Sequence, residues 1–292
     1  MGRSSLSGKP DAADQVARFE PCGSFADLAE RVGRTEDRGH LTGLHQADDV
    51  DQVLLGAAAA ADDLLLGGEQ TLGGDLEDLV EIADHQELAA RPQHREALPD
   101  AIACMHHSLI DQGRVGLGTR LLILGVGGLG IHGVQIARSA GAQVMATSRQ
   151  PQRLALAEQY GAVGVNTAGQ SLAAAVAEFT HGEGVDVVVD NIGTRASVRE
   201  GIALLRPGGK FLVVAYLDES FEIPSIPLFK TELEIIGCRG STKQDLIDVV
   251  GLVQSGQVTP VLGASYPLAQ LGETAARLES GDLIGRIWLS RE

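Results

Sequence analysis

The run LLILGVGGLGIHGVQIA, at residues 121–137, joins an apolar stretch of strand type to a helical pattern through a glycine-rich turn. Gly125 is expected to permit the tight turn, Gly127 to let backbone amides approach a pyrophosphate, and Gly130 to let the helix pack against the strand. A phosphate would then lie at the positive end of the helix dipole. The run therefore predicts a dinucleotide-binding turn.

Short runs of Val, Ile and Leu continue downstream of Gly118, separated by amphipathic stretches. Strands that alternate with helices predict a parallel sheet with helices on both faces. The predicted fold class is therefore α/β, a doubly wound parallel sheet of Rossmann type. The predicted buried strands are residues 119–124, 143–147, 185–190 and 210–215.

The end of the second predicted strand indicates which dinucleotide fits. Ser148 follows Gly130 by 18 residues, close to the roughly 20 expected for the position that reads the adenosine ribose. A carboxylate there would bind the ribose hydroxyls of NAD(H) or of S-adenosylmethionine and would repel a 2′-phosphate. A serine can instead donate to a phosphate oxygen, with Arg149 and Arg153 pairing with it. We therefore predict NADP(H) over NAD(H); the alternative is that the two arginines form a solvated face at a helix start.

The chain has 292 residues and a net charge of −16, and its acidity lies upstream. Residues 1–118 hold 22 of the 39 acidic side chains and 9 of the 23 basic ones, but only two of the ten aromatic residues. We predict that residues 1–108 are an acidic, weakly patterned segment, atypical or degenerate in place of a catalytic domain, and that residues 109–292 are the cofactor-binding domain with a C-terminal return segment. Helices are predicted over 47–59 and 75–89, with disorder as the alternative.

Composition also excludes several classes of partner. The acidic balance argues against nucleic acid, because binding to a phosphate backbone needs clustered Lys and Arg. No apolar run reaches the roughly 18 residues of a membrane span, and the N-terminus lacks the apolar core of a secretory signal. Cys22, Cys104 and Cys238 are far apart, which argues against a disulfide framework and favours the cytoplasm.

Six segments, taken in order, resemble the cofactor-binding half of the medium-chain dehydrogenase/reductase superfamily, most closely the zinc-type alcohol dehydrogenases. The resemblance runs from about residue 109 to 289 and implies an oxidoreductase that transfers a hydride between nicotinamide and an alcohol, carbonyl or quinone. The segments are 125–130 (GVGGLG), 155–165 (ALAEQYGAVGV), 182–193 (GEGVDVVVDNIG), 204–210 (LLRPGGK), 233–240 (LEIIGCRG) and 282–288 (DLIGRIW).

The turn and the resemblance together give a set of predicted cofactor contacts. Pyrophosphate contact is expected at residues 127–130 and adenosine-ribose contact after the second strand. The loop 191–193 is expected beside the cofactor, and residues 214–215 and 238–239 are expected near the nicotinamide through backbone groups. For the Cys238 thiol, a small buried apolar role is favoured over reactive chemistry, and Asp190 is expected to support its loop rather than act as an acid. The predicted residues are Gly125, Gly127, Gly128, Leu129, Gly130, Ser148, Arg149, Arg153, Asn191, Ile192, Gly193, Val214, Ala215, Cys238 and Arg239.

The upstream part departs from the zinc-type pattern. The segment 39–41 (GHL) lacks the glutamate of the family's Gly-His-Glu motif. In the segment 104–109 (CMHHSL), Cys104 falls a few residues past a metal-binding position, while the adjacent His106 and His107 point about 100° apart on a helix and cannot easily share a metal. We therefore predict no zinc and no metal site, and interpret this segment as the start of a surface helix.

Three hypotheses of function follow. The first is an NADP-dependent oxidoreductase without zinc, acting on a small molecule with catalytic residues that the sequence does not identify. The second is a dinucleotide-binding module without turnover. The third is that residues up to about 101 are the product of a frameshift or rearrangement. The resemblance also implies a homo-oligomer paired at the sheet edge near residues 223–236, where an exposed strand could pair.

Overall fold

The computed structural model describes residues 98–215, 217, 220–223, 225–280 and 284–290. The helices predicted over 47–59 and 75–89, the segment 39–41 and Cys22 lie outside the described residues. The predicted domain boundary at residue 109 stays a prediction.

Six parallel strands form the main sheet in the order β3-β2-β1-β4-β5-β6. The chain moves outward from β1 in one direction and then returns to β4 on the other side, so a crevice opens at the carboxyl ends of β1 and β4. The predicted doubly wound sheet is confirmed. The strands are β1 (Arg120–Leu124), β2 (Gln143–Ser148), β3 (Val163–Asn166), β4 (Val185–Asp190), β5 (Leu205–Val213) and β6 (Glu234–Gly237).

The strand predictions succeed in the middle of the sheet and fail at its edges. The four predicted strands correspond to β1, β2, β4 and β5, although β5 begins five residues early because Leu205 pairs with Val185 before a register shift. The strands β3 and β6 were not predicted. They are short, they form the two edges, and most of their residues are half-buried or exposed, so neither contains the continuous apolar run of a doubly covered strand.

Helices cover both faces of this sheet. Side chains of β1 alternate between two cores: Leu121 and Ile123 enter the larger one, while Leu122 and Leu124 enter the smaller one with Phe211. This alternation follows from the two-residue repeat of a strand. The helices are α1 (Gly130–Ser139), α2 (Pro151–Gln159), α3 (Leu172–Phe179), α4 (Arg195–Ala203), α5 (Ser225–Thr231), α6 (Lys243–Gln254) and α7 (Leu271–Ser280).

A further helical stretch precedes β1. We call residues 98–112 the leading helix; it consists of an α-helical turn, Ala103–His106, between two π-helical stretches, Leu98–Ile102 and His107–Gln112. The interpretation of residues 104–109 as a surface helix start is wrong. Leu98, Ile102, Met105 and Leu109 recur at helical spacing, are at most 1% exposed and join the larger core, because they form one apolar stripe.

The C-terminal part adds a second, smaller sheet. Strand β7 (Leu262–Pro267) pairs in parallel with β8 (Arg286–Ser290). In the described part of the chain, no helix is long and apolar enough to cross a membrane.

Truncating the stripe of the leading helix tests its packing. Leu109→Ala is expected to lower the free energy of unfolding by about 2–4 kcal/mol, because it leaves a cavity in a close-packed core. Leu117→Ala, at a side chain that is 93% exposed, should change it by less than about 0.5 kcal/mol. Urea denaturation of both variants measures the difference, and an equally small effect at both positions would contradict burial of the leading helix.

Candidate functional site

The loops at the carboxyl ends of the central strands meet at one place. A Cβ on Gly125, after β1, would lie 3.0 Å from Ile192 Cγ1, after β4, and one on Gly193 would lie 3.0 Å from the backbone of Ala215, after β5. The N–H of Cys238, after β6, donates to the carbonyl of Val213 at 2.9 Å. The loops 191–193, 214–215 and 238–239, which the sequence predicts to lie near the cofactor, are therefore neighbours; their contact with a cofactor stays a prediction.

Backbone geometry explains two of the three glycines to which the sequence analysis assigns a role in the turn. Gly125 has φ +87°, which favours glycine, and its N–H donates to Thr147 Oγ1 at 3.1 Å. A Cβ on Gly130 would overlap the carbonyl oxygen of Gly125, so α1 approaches the end of β1 as expected. At Gly127 a Cβ would meet no heavy atom within 4 Å, which leaves the turn open on that side.

The start of α1 presents backbone donors. Leu129 is the N-cap residue, and no side chain caps this end. Within the described residues, the N–H groups of Gly127, Gly128 and Leu129 have no acceptor. Uncapped N–H groups and the positive end of the helix dipole together favour a phosphate here.

A buried amide lies directly below this turn. Asn191 is anchored by its backbone N–H, which donates to the carbonyl of Leu124 at 3.0 Å. Its side-chain Oδ1 and Nδ2 are buried and have no partner within the described residues, and Nδ2 would lie 3.4 Å from a Cβ on Gly130. An unsatisfied buried amide costs about 1–3 kcal/mol, so a ligand that binds it would be stabilised.

Asp190 holds the loop that carries this amide. Its Oδ1 accepts from the N–H groups of Ile192 at 2.8 Å and Gly193 at 3.2 Å, and its Oδ2 accepts from the Ser197 hydroxyl at 2.8 Å. The side chain is fully buried. All of its contacts are structural, which confirms the prediction that Asp190 supports the loop.

The end of β2 presents a hydroxyl and two guanidinium groups. Ser148 Oγ accepts from the Gln150 N–H at 3.1 Å, which leaves its proton available to donate. Arg149 is exposed and Arg153 half-buried, and burial lowers the pKa of Arg153. No carboxylate occurs between residues 148 and 153.

Comparison with known proteins identifies the segment that forms this crevice. Residues 128–255 match a family model described as zinc-binding dehydrogenase. This segment belongs to the medium-chain dehydrogenase/reductase superfamily. We refer to residues 128–255 as the dehydrogenase segment.

Similar proteins share the segment but are longer. D-arabitol-phosphate dehydrogenase of Enterococcus avium is 30% identical over 194 residues, 64% of this chain and 55% of its own length. An NAD-dependent alcohol dehydrogenase of Sulfurisphaera tokodaii is 26% identical over 171 residues, 57% of this chain and 49% of its own. The chain thus spans about half the length of these curated relatives.

Solved structures agree with the fold. The alcohol dehydrogenase of Aeropyrum pernix superposes with a TM-score of 0.64 at 29% identity, covering 68% of this chain and 58% of its own. A chain from Sinorhizobium meliloti 1021 with bound NADP gives a TM-score of 0.58 at 26% identity, covering 63% and 55%.

The described residues do not fit a catalytic zinc at Cys104. Burial raises the pKa of the Cys104 thiol to about 11 and also raises that of Cys238. Neither thiol belongs to a group of three potential metal ligands in the described part of the chain. A neutral buried Cys238 also agrees with the small apolar role predicted for it.

The sequence analysis did not predict two residues that lie beside the turn. The Arg286 side chain lies next to Gly128, whose Cβ would come within 2.9 Å of its Cδ, and its guanidinium pairs with Asp100 on the leading helix. His132 on α1 is fully buried. The groups that these two side chains contact are distant in sequence. The only sequence signals were that Arg286 lies in the segment 282–288 and His132 in the glycine-rich run 121–137.

His132 links the turn to the C-terminal part. Its Nε2 must accept from the Val261 N–H at 2.9 Å, so Nδ1 carries the proton and donates to the carbonyl of Gly128 at 2.7 Å. Burial lowers the pKa of His132 to about 4. The imidazole is therefore neutral in the folded dehydrogenase segment.

This lowered pKa predicts a loss of stability in acid. Below pH about 6.5 the unfolded chain takes up a proton at His132 and the folded chain does not, down to about pH 4, so the free energy of unfolding falls with pH. Between pH 7.5 and 5.5, the free energy of unfolding of the wild type should fall by about 1.4 kcal/mol more than that of His132→Asn. The asparagine keeps a donor near the position of Nδ1 but does not titrate.

The control is His181→Asn, at an exposed histidine, whose φ of +54° asparagine tolerates. Urea denaturation at the two pH values should give this variant the pH dependence of the wild type. An unchanged dependence in His132→Asn would contradict a buried neutral imidazole.

Proposed function

We propose that this chain is an oxidoreductase that binds a nicotinamide dinucleotide and transfers a hydride between it and the alcohol or carbonyl group of a small molecule. The observation that carries the proposal is the open glycine turn beside the buried amide of Asn191: within the described residues, three N–H groups of the turn lack acceptors and the side-chain amide lacks a partner. Membership of the dehydrogenase segment in its superfamily supports it.

The residues present fit such a cofactor. Backbone N–H groups of residues 127–130 would bind the pyrophosphate, with the Arg286 guanidinium adding positive charge nearby. Ser148, Arg149 and Arg153 would bind the adenosine ribose, and a 2′-phosphate on it. The loops 191–193, 214–215 and 238–239 would border the nicotinamide through backbone groups. When bound, the nicotinamide ring supplies the hydride donor or acceptor.

This chain's own contribution is positioning. The Asp190 carboxylate fixes the loop 191–193, and the fold of β5 and β6 fixes the two loops opposite. Such preorganisation would align the reacting carbon atoms of a bound cofactor and substrate. No described side chain is assigned as an acid or base, and quinones stay among the possible acceptors.

The second candidate is a dinucleotide-binding module without turnover. The open glycine turn and the buried amide of Asn191 are features of dinucleotide binding and do not by themselves require turnover, so this candidate rests on the same observations. Pairing of two copies at the β6 edge is compatible with either candidate and stays part of the proposal.

Turnover separates the two candidates. Oxidation of NADPH, followed by absorbance with a panel of aldehydes, ketones and quinones, should be detectable for the wild type. Gly127→Ala should fold normally, since its Cβ meets no atom, and should bind NADPH at least about tenfold more weakly because the methyl group blocks the N–H groups. Binding without turnover would support the module, and absence of binding would overturn both.

The coenzyme preference has its own test. We propose NADP(H), because the end of β2 offers a hydroxyl and two guanidinium groups and no carboxylate. Arg149→Gln should weaken NADPH binding about tenfold and leave NADH nearly unchanged, since a charge-assisted pair is worth about 1.5–3 kcal/mol. Arg199→Gln, at an exposed arginine on α4, should change neither. Fluorescence titration that gives equal affinities, or tighter NADH binding, in the wild type would contradict the preference.

A further inference from the structure

Three potential metal ligands meet where the leading helix packs against α6. His107 and Asp111 lie four residues apart on the leading helix, and Asp245 lies in the first turn of α6. His107 Nδ1 is 3.0 Å from Asp245 Oδ2 and 3.5 Å from Asp111 Oδ2. The three ligand atoms all lie within 4.8 Å of one another.

The Asp245 carboxylate is held rigidly. It is 1% exposed; its Oδ1 contacts His106 Nδ1 at 2.7 Å, and its Oδ2 accepts from the Thr242 N–H at 2.8 Å and the Thr242 hydroxyl at 2.6 Å. The adjacent imidazoles of His106 and His107 thus contact different oxygens of the Asp245 carboxylate, and of the two only His107 also lies near Asp111. In known metal sites, hydrogen bonds to a ligating carboxylate orient it toward the metal ion.

The histidine proton cannot serve both carboxylates. One N–H at His107 Nδ1 faces two carboxylate oxygens, from Asp245 and Asp111. A cation in its place would be attracted to both. In a tetrahedral site with metal–ligand bonds near 2.1 Å, ligand atoms lie about 3.4 Å apart, and the 3.0 and 3.5 Å separations bracket that value.

The remaining contacts also suit a bound cation. With Nδ1 as ligand, His107 Nε2 would carry the proton and donate to the side-chain amide of Gln112, which lies 3.3 Å away and presents oxygen when its amide is turned over. The Asp111 side chain is 46% exposed, which gives an ion an entry path and leaves room for water as a fourth ligand.

We propose that His107, Asp111 and Asp245 bind a divalent first-row transition cation such as Zn²⁺. One imidazole nitrogen with two carboxylate oxygens favours such an ion over Mg²⁺ or Ca²⁺, which take oxygen ligands. The bound ion would join the leading helix to α6. The sequence predicts no metal site, because His106 and His107 point apart on a helix, and Asp245, which lies 138 residues from His107, gives no local signal. The proposal is independent of the proposed function.

Cobalt titration tests the site in the full chain. Metal-free protein should bind one Co²⁺ per chain and develop a visible absorption band, without the sulfur-to-cobalt charge-transfer band that ligation by Cys104 or Cys238 would produce. Asp111→Asn should weaken binding of Co²⁺ and Zn²⁺ at least tenfold. Asp248→Asn makes the same charge change at an exposed position on α6 and should bind like the wild type.

Isothermal titration with Zn²⁺ and a thermal melt of each variant complete the test. A folded Asp111→Asn chain with lost affinity supports the site, as does a rise in melting temperature with Zn²⁺ that this variant lacks. Absence of binding, unchanged affinity in Asp111→Asn, a sulfur charge-transfer band, or equal affinity for Mg²⁺ would overturn the proposal.

Discussion

The close approach of the Gly125 carbonyl to Gly130 is the constraint on which the candidate site depends. Any side chain at Gly130 would occupy the position of that oxygen. The contact sets where α1 begins, and the start of α1 sets where its uncapped N–H groups point. It also places Asn191 below the turn, because the Asn191 N–H bonds to Leu124 one residue earlier. One backbone contact thus aligns the first strand, the first helix and the loop after β4.

Three buried polar side chains, those of Asp190, His132 and Gln135, hold the segments around the turn in place. Asp190 satisfies two backbone N–H groups and one hydroxyl. On α1, His132 and Gln135 bind backbone groups of Val261 and Thr259. Every one of these polar groups is buried, so each hydrogen bond also avoids the cost of an unsatisfied group. The buried polar atoms of Asn191, which lack partners in the described residues, therefore stand out as a place for a ligand.

The predictable part of the molecule was the part with local patterns. Strands β1, β2 and β4 could be predicted because doubly covered strands are continuous apolar runs, and the turn because only glycine fits Gly125 and Gly130. The edge strands β3 and β6 have no such run. The leading helix was misassigned because the adjacent His106 and His107 suggested a surface, whereas both contact the buried Asp245 of α6. Arg286, His132 and the His107 grouping depend on partners more than 120 residues away, which no local pattern reveals.

The bonds from α1 to residues 259–261 have a consequence for the order of folding. The glycine turn, β1 and β2 are neighbours in sequence, so they close small loops and can assemble early. The hydrogen bonds that join α1 to Thr259 and Val261 span 124 and 129 residues and carry a larger entropic cost of closure. We therefore expect the glycine turn to form first with one side open, and the segment that binds His132 to dock on it later.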